Sequence, residues 1–201
     1  MKISRQRVID YETAGYGAAE GWTPAYDWEE TKKVLRKGNI VVPVFIAAAA
    51  FLLSRFVFAG SFDASRNLLA LSVLILIYIL FIVPLHEILH LMAYDLNIFS
   101  NKFNIFIGWP AVSAFYDGET SRTRAVVSLL LPFAVITALL GAALIFFMRQ
   151  AEGMALWISL LMLINAGGSW TDLFMFFRYI KKTPKGAVFY GNRYKGGNRA
   201  A

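Results

Sequence analysis

The chain has 201 residues, 58% of them hydrophobic and only 16% charged, with a formal net charge of +7 and no cysteine. Soluble domains carry roughly 25% charged residues, so this composition and a mean hydropathy of +0.54 exclude an ordinary soluble globule and point to one multi-span membrane domain. Without cysteine there are neither disulfides nor thiolate metal ligands, and the basic excess reads as membrane topology and attraction to anionic lipid, with no nucleic-acid module.

Residues 1–38 read as a polar cytosolic segment that lacks the early apolar stretch of a signal peptide. Gly15, Gly17 and Gly21 predict loop, and Thr23-Pro24 then predicts the start of a short amphipathic helix with proline at its first position. Asp27, Glu29 and Glu30 come early in it and Lys32, Lys33, Arg36 and Lys37 late, the order a helix dipole favours. A first membrane span is expected over 39–59, long enough for a hydrocarbon core of roughly 30 Å, with Arg55 snorkelling outward near its end. A polar turn over 60–67 leads to a second span, 68–94, which at about 1.5 Å per residue is longer than a bilayer needs. Pro84 predicts a kink or opened turn within it.

The connection 95–124 is the longest. Within it, residues 102–116 are apolar but too short to span, and Gly108-Trp109-Pro110 breaks them. Phe103, Ile105 and Ile107 alternate with Asn104 and Phe106, a strand-like period. This stretch is expected to be a hairpin or re-entrant segment packed on protein, because irregular backbone does not face lipid; an interfacial loop with aromatic anchors is the alternative. A third span over 125–148 is expected to be interrupted at Pro132, and a turn at 150–153 leads to a fourth span over 154–177. The basic tail, 178–201, reads as a disordered, lipid-attracted segment, with Pro184 marking where a helix should stop. The expected fold is an all-α membrane protein with four transmembrane helices and a short re-entrant or hairpin segment between the second and third. Its membrane-embedded domain is 39–177, set between the N-terminal segment and the tail.

Basic residues cluster in the N-terminal segment, in the tail, and at Lys102, Arg122 and Arg124, whereas the other two connections hold only Arg66 and Arg149. The positive-inside rule therefore predicts a multi-pass protein of the cell membrane with both termini in the cytosol.

The chemistry concentrates in His86-Glu87-Ile88-Leu89-His90, which contains the only two histidines of the chain. Two side chains four apart on a helix share a face, with Cβ atoms roughly 5–6 Å apart, so both imidazoles can hold one metal while Glu87 serves as base beside it. Two core histidines bonded to carbonyls are the plain alternative, but an ionisable cluster after the apolar run 68–83 is costly and marks a functional site. Catalytic zinc takes three protein ligands and an open position. With no third histidine, the third ligand is a carboxylate: Asp95, Asp117 and Glu119 lie on the connection, and Asp172 lies in the fourth span. His86 and Asp172 each fall 18 residues after the start of parallel spans, at 68 and 154, and so reach a similar depth. A lone carboxylate there needs a partner, which selects Asp172. Asn165, Ser169 and Asp172 form one polar stripe beside Gly167 and Gly168, which permit close helix approach; for Asn165 and Ser169 the stripe could equally be helix–helix glue.

With H-E-I-L-H in the second span and N-A-G-G-S-W-T-D in the fourth, the chain resembles the zincin peptidases of a bacterial membrane family of unknown function, itself similar to the site-2 proteases. The resemblance covers most of 68–177 and implies that His86, His90 and Asp172 hold Zn2+ with Glu87 as the base. One residue departs from the site-2 pattern: Leu173 follows Asp172 where those enzymes have glycine. The expected function is a zinc-dependent intramembrane endopeptidase that cleaves membrane protein or peptide substrates near the cytosolic face. Glu87 would take and return the proton, Asn165 would help hold the oxyanion, and the strand-like 103–107 would pair with an unwound substrate. The rivals are a non-catalytic membrane scaffold, chaperone or regulator on the same bundle, and a zinc hydrolase acting on a lipid or small amide.

Overall fold

Apolar runs and their breaks set the architecture. The computed structural model describes residues 2–5, 21–25, 28–52, 64–95, 97, 100–107, 112–148, 152–191 and 193–196. Among these, three helices are long and apolar enough to cross a membrane, over Thr31–Leu52, Ser72–Tyr94 and Arg122–Phe147. A fourth candidate is a pair, Met154–Gly168 and Trp170–Lys182, bent by 45° at its break. The protein is thus an all-α membrane protein in its main architecture, to which two small sheets are added. Its residues fall into two compact units: Met1–Trp28, Leu85–Pro132 and Asp172–Ala201 in unit 1, Glu29–Pro84 and Phe133–Thr171 in unit 2.

Unit 2 is helical. It holds nearly all of α1 (Trp28–Leu52), α2 (Ala64–Ile77), a π-helical turn at Tyr78–Ile82, the second half of α4 (Arg122–Phe147), and α5 (Glu152–Gly168). Its helices turn large apolar side chains outward, among them Ile40, Phe45, Phe81, Leu139 and Ile145, the last 75% exposed. Such an outer surface suits lipid, which solvates it as well as a protein core would. Among the described residues, the amphipathic helix expected before the first span is not a separate element. Thr23-Pro24 is a short strand instead, and α1 starts at Trp28 and runs unbroken through Gly38 into the span. Gly38 lies inside α1, and a Cβ there would run into the Trp170 ring: the glycine serves close packing. Trp170 Nε1 donates to Asn39 Oδ1 at 3.2 Å beside it. Gly167 plays the same part against Ile46 and Val42, and Gly168 against the Tyr78 hydroxyl. The far end of the first expected span, with Arg55, and the turn at 150 and 151 lie outside the described residues. Of the expected turn over 60–67, Ala64 onward is already helix.

The opened turn expected near Pro84 is the π-helical turn just before it, where the Val83 N–H reaches the Tyr78 carbonyl. After it, α3 (Val83–Tyr94) carries the two histidines into unit 1. Pro132, in contrast, does not interrupt α4, which stays helical on both sides of it.

Unit 1 carries both sheets. In the first, β1 (Lys2–Arg5) runs parallel to β3 (Phe103–Ile107), which pairs antiparallel with β4 (Val112–Tyr116) in the order β1-β3-β4. The alternating stretch is therefore the first arm of a hairpin. In the second sheet, β2 (Thr23–Pro24), β7 (Arg193–Lys195), β6 (Val188–Tyr190) and β5 (Thr120–Ser121) follow in that order, all antiparallel. Pro24 sits on the edge strand, where a missing N–H is tolerated. The tail expected to be disordered instead carries, among its described residues, the end of a helix up to Lys182 and the strands β6 and β7. Tyr179, Ala187 and Phe189 are buried with Ala25 and Ala125, Phe189 stacks on Tyr179 with centroids 4.9 Å apart, and Lys195 pairs with Glu119 at 2.5 Å. Its aromatic residues supply the apolar burial that a merely basic tail would lack.

Candidate metal centre

α3 and α6 (Trp170–Lys182) bring the predicted ligands together inside unit 1. His86 and His90 lie one turn apart on α3, with ring centroids 4.8 Å apart and planes at 76°. The break after Gly168 starts a new helix, and Asp172 falls in its first turn, where the helix dipole favours a carboxylate. His86 Nε2 is 3.0 Å from Asp172 Oδ2 and 3.1 Å from His90 Nε2; His90 Nε2 is 3.5 Å from the same carboxylate oxygen.

The donor set fits zinc. A tetrahedral ion about 2.0–2.1 Å from each ligand requires ligand–ligand edges of roughly 3.3–3.4 Å, close to the three observed, and one atom from each residue can be drawn within 4.8 Å of the others. The hydrogen bonding agrees. His90 Nδ1 is 2.7 Å from the Ser128 carbonyl oxygen, which can only accept, so Nδ1 carries a proton and, in the neutral ring, Nε2 presents a lone pair. That lone pair faces a carboxylate oxygen and a second imidazole nitrogen, an arrangement that attracts a cation. The His86 and Asp172 side chains are 14% and 19% exposed, so the cluster is not sealed off by protein.

Glu87 points to a different partner. Its Oε2 accepts the Ala114 N–H at 2.7 Å. Ala114 belongs to β4, at the edge of its sheet among the described strands. The Asp117 N–H pairs back to Lys102, so odd-numbered positions of this arm face β3 and Ala114, with its even-numbered neighbours, faces the free edge. Tyr94 fixes α3 against the hairpin, stacked on Tyr116 with centroids 5.0 Å apart and planes 2° from parallel. Arg124 holds the Tyr94 carbonyl at 2.9 Å, and Arg122 holds the Ile180 carbonyl at 3.0 Å, so α4 begins by capping the ends of two other helices.

The other carboxylates weighed for the third ligand are engaged elsewhere: Asp95 with the Asn97 N–H at 3.0 Å, Asp117 with the Tyr190 hydroxyl at 2.5 Å, and Glu119 with Lys195. The polar stripe is divided by the helix break. Asn165 goes with unit 2, 1% exposed, with Nδ2 donating to Thr137 Oγ1 at 3.3 Å. Ser169 is buried at the break itself. Side-chain patterns missed the Ser128 carbonyl and the Ala114 N–H because both are backbone groups.

The family described as "Putative zincin peptidase" matches residues 79–188, more than half of the chain and inclusive of His86, Glu87, His90 and Asp172. No curated protein and no solved structure matches the chain.

Proposed function

We propose, from the premise that this chain belongs to the zincin peptidase family, that it is a zinc-dependent endopeptidase of site-2-protease type acting on membrane-associated proteins or peptides near the cytosolic face. The observation that carries the reading is the meeting of three lone-pair atoms, from His86, His90 and Asp172, on helices of membrane-spanning character, with Glu87 next in the chain to one of them. His86 Nε2, His90 Nε2 and an Asp172 oxygen would hold the ion. Zinc supplies Lewis acidity, which acidifies water and polarises a carbonyl.

The chain supplies the rest. Glu87 takes the proton of the attacking water and hands it to the leaving amine. An extended substrate pairs with the outer edge of β4, which no described strand covers, and takes over the Ala114 N–H as Glu87 turns to the attacking water. The sequence had suggested 103–107 for this pairing, but β3 is flanked on both sides, by β1 and β4, and has no edge to offer. A transmembrane helix must unwind before it can pair, since its carbonyls are otherwise occupied. Oxyanion stabilisation by Asn165 is a separate proposal, and a fall in kcat without loss of zinc in Asn165→Ala would support it. The basic N-terminal segment and tail support a multi-pass location with both termini in the cytosol.

The test is reconstitution of the full chain in proteoliposomes with a helical membrane peptide, together with metal analysis. Wild type carrying about one zinc and cleaving the peptide, with Glu87→Gln inactive, is the expected result. Zinc-loaded protein that cleaves no faster than Glu87→Gln would favour a non-catalytic scaffold, and protein that never retains zinc would end the enzyme reading.

A further inference from the structure

α4 contains a proline where a helix normally has no use for one, and the carbonyl it releases is the one that orients a predicted zinc ligand. In an α-helix the carbonyl of residue 128 accepts the N–H of residue 132. Residue 132 is proline, almost completely buried within an otherwise continuous helix, and it has no N–H to give. A buried carbonyl left open in this way is costly unless another donor finds it. The His90 Nδ1–H is that donor, 2.7 Å from the Ser128 oxygen. The contact is doubled one turn further along α3: the Tyr94 hydroxyl lies 2.8 Å from Ser128 Oγ, which also donates to the Ala125 carbonyl at 2.9 Å. His90 and Tyr94, four apart on one face of α3, thus grip the carbonyl and the hydroxyl of one residue.

We propose that Pro132 is a positioning residue for the metal centre. By withholding an amide hydrogen it keeps the Ser128 carbonyl free for the His90 imidazole, which fixes its tautomer and aims Nε2 at His86 and Asp172. A partner of this kind on the far nitrogen of a metal-bound histidine typically governs affinity by 10- to 100-fold. Any residue other than proline at 132 brings back an N–H that competes for the same oxygen.

The inference rests on the metal-centre reading above, and the experiment separates the two. Full-length protein in detergent is titrated with zinc against a fluorescent chelator, for wild type, Pro132→Ala and Pro43→Ala. Pro132→Ala should bind zinc about 10- to 100-fold more weakly, whereas Pro43→Ala, the same change within α1, should match wild type. Alanine favours helix, so α4 is retained. In parallel, the chain's two histidines are labelled with 15N. Wild type should show one ring with a hydrogen-bonded, slowly exchanging Nδ1–H, and Pro132→Ala should lose that protection. Wild-type zinc affinity in Pro132→Ala, or no protected Nδ1–H in wild type, would overturn the proposal. The second readout needs neither the variant nor the metal, so wild-type protein that binds no zinc would count against the proposed enzyme alone.

Discussion

The two units use the same apolar helices for different ends. Unit 1 joins helix to helix and helix to sheet through polar and aromatic contacts at defined distances: His86 to Asp172, His90 to Ser128, and Arg122 to Thr183 and Ile180 among the helices, Glu87 to Ala114 and Tyr94 to Tyr116 between helix and strand. Unit 2 joins helix to helix through glycines, Gly38 under Trp170, Gly167 under Ile46 and Gly168 under Tyr78. Among the described residues, three of the four buried side-chain oxygens without a hydrogen-bond partner, on Thr31, Asn165 and Ser169, also belong to unit 2. Small residues let backbones approach in lipid, where no hydrophobic force holds helices together, but they specify position loosely. Directional bonds specify it tightly, and a catalytic centre tolerates errors of only about 0.5 Å. The unit that gathers the ligands is the one built from directional bonds.

The hardest break of this contrast is at the ligands. His86→Ala or Asp172→Asn should take purified protein from about one zinc per chain to nearly none by elemental analysis, while circular dichroism keeps its helical content. Glu87→Gln should keep the zinc and lower cleavage by about 10²- to 10⁴-fold, read by peptide hydrolysis in proteoliposomes. In unit 2 the expected effect is on stability alone. Gly38→Ala places a Cβ against the Trp170 ring and should cost about 1–3 kcal/mol in thermal or denaturant unfolding in detergent, with zinc stoichiometry unchanged. Within unit 1, Tyr94→Phe removes one hydroxyl contact to Ser128 and should cost about 1 kcal/mol by the same measurement.

The smallest expected effect is far from the metal, in the second sheet. The Asp117 carboxylate, hydrogen-bonded to the Tyr190 phenol, pushes its pKa from near 10 up to about 12. The folded state therefore holds this proton more tightly than the unfolded chain. The contribution is complete below pH 10 and is lost as pH rises from 10 to about 12. Tyr190→Phe should flatten the stability curve slightly in that window, and a curve identical to wild type would remove the contact from the account.

What was legible in the chain was whatever repeats or carries charge. The apolar runs gave the spans, the strand-like period at Phe103, Ile105 and Ile107 gave the first arm of the hairpin, and the H-E-x-x-H spacing with one intramembrane carboxylate gave the three residues that meet. What misled was the reading of breakers as boundaries. Thr23-Pro24 suggests a helix start and Pro132 an interruption, yet the first lies in an edge strand and the second sits inside a continuous helix. Single residues of this kind have several uses, and the neighbour decides among them.

The amino-acid order by itself determined a membrane protein with two imidazoles on one helix face and a carboxylate at a matching level on another, because hydropathy and helical period are local properties of the chain. Only the tertiary structure decided that the tail folds back into a sheet, that β4 and not β3 offers an edge beside Glu87, and that a backbone carbonyl at Ser128 orients His90. Those depend on backbone hydrogen bonds between residues far apart in sequence. Every peptide unit carries the same donor and acceptor, so no side-chain pattern records which pair will meet.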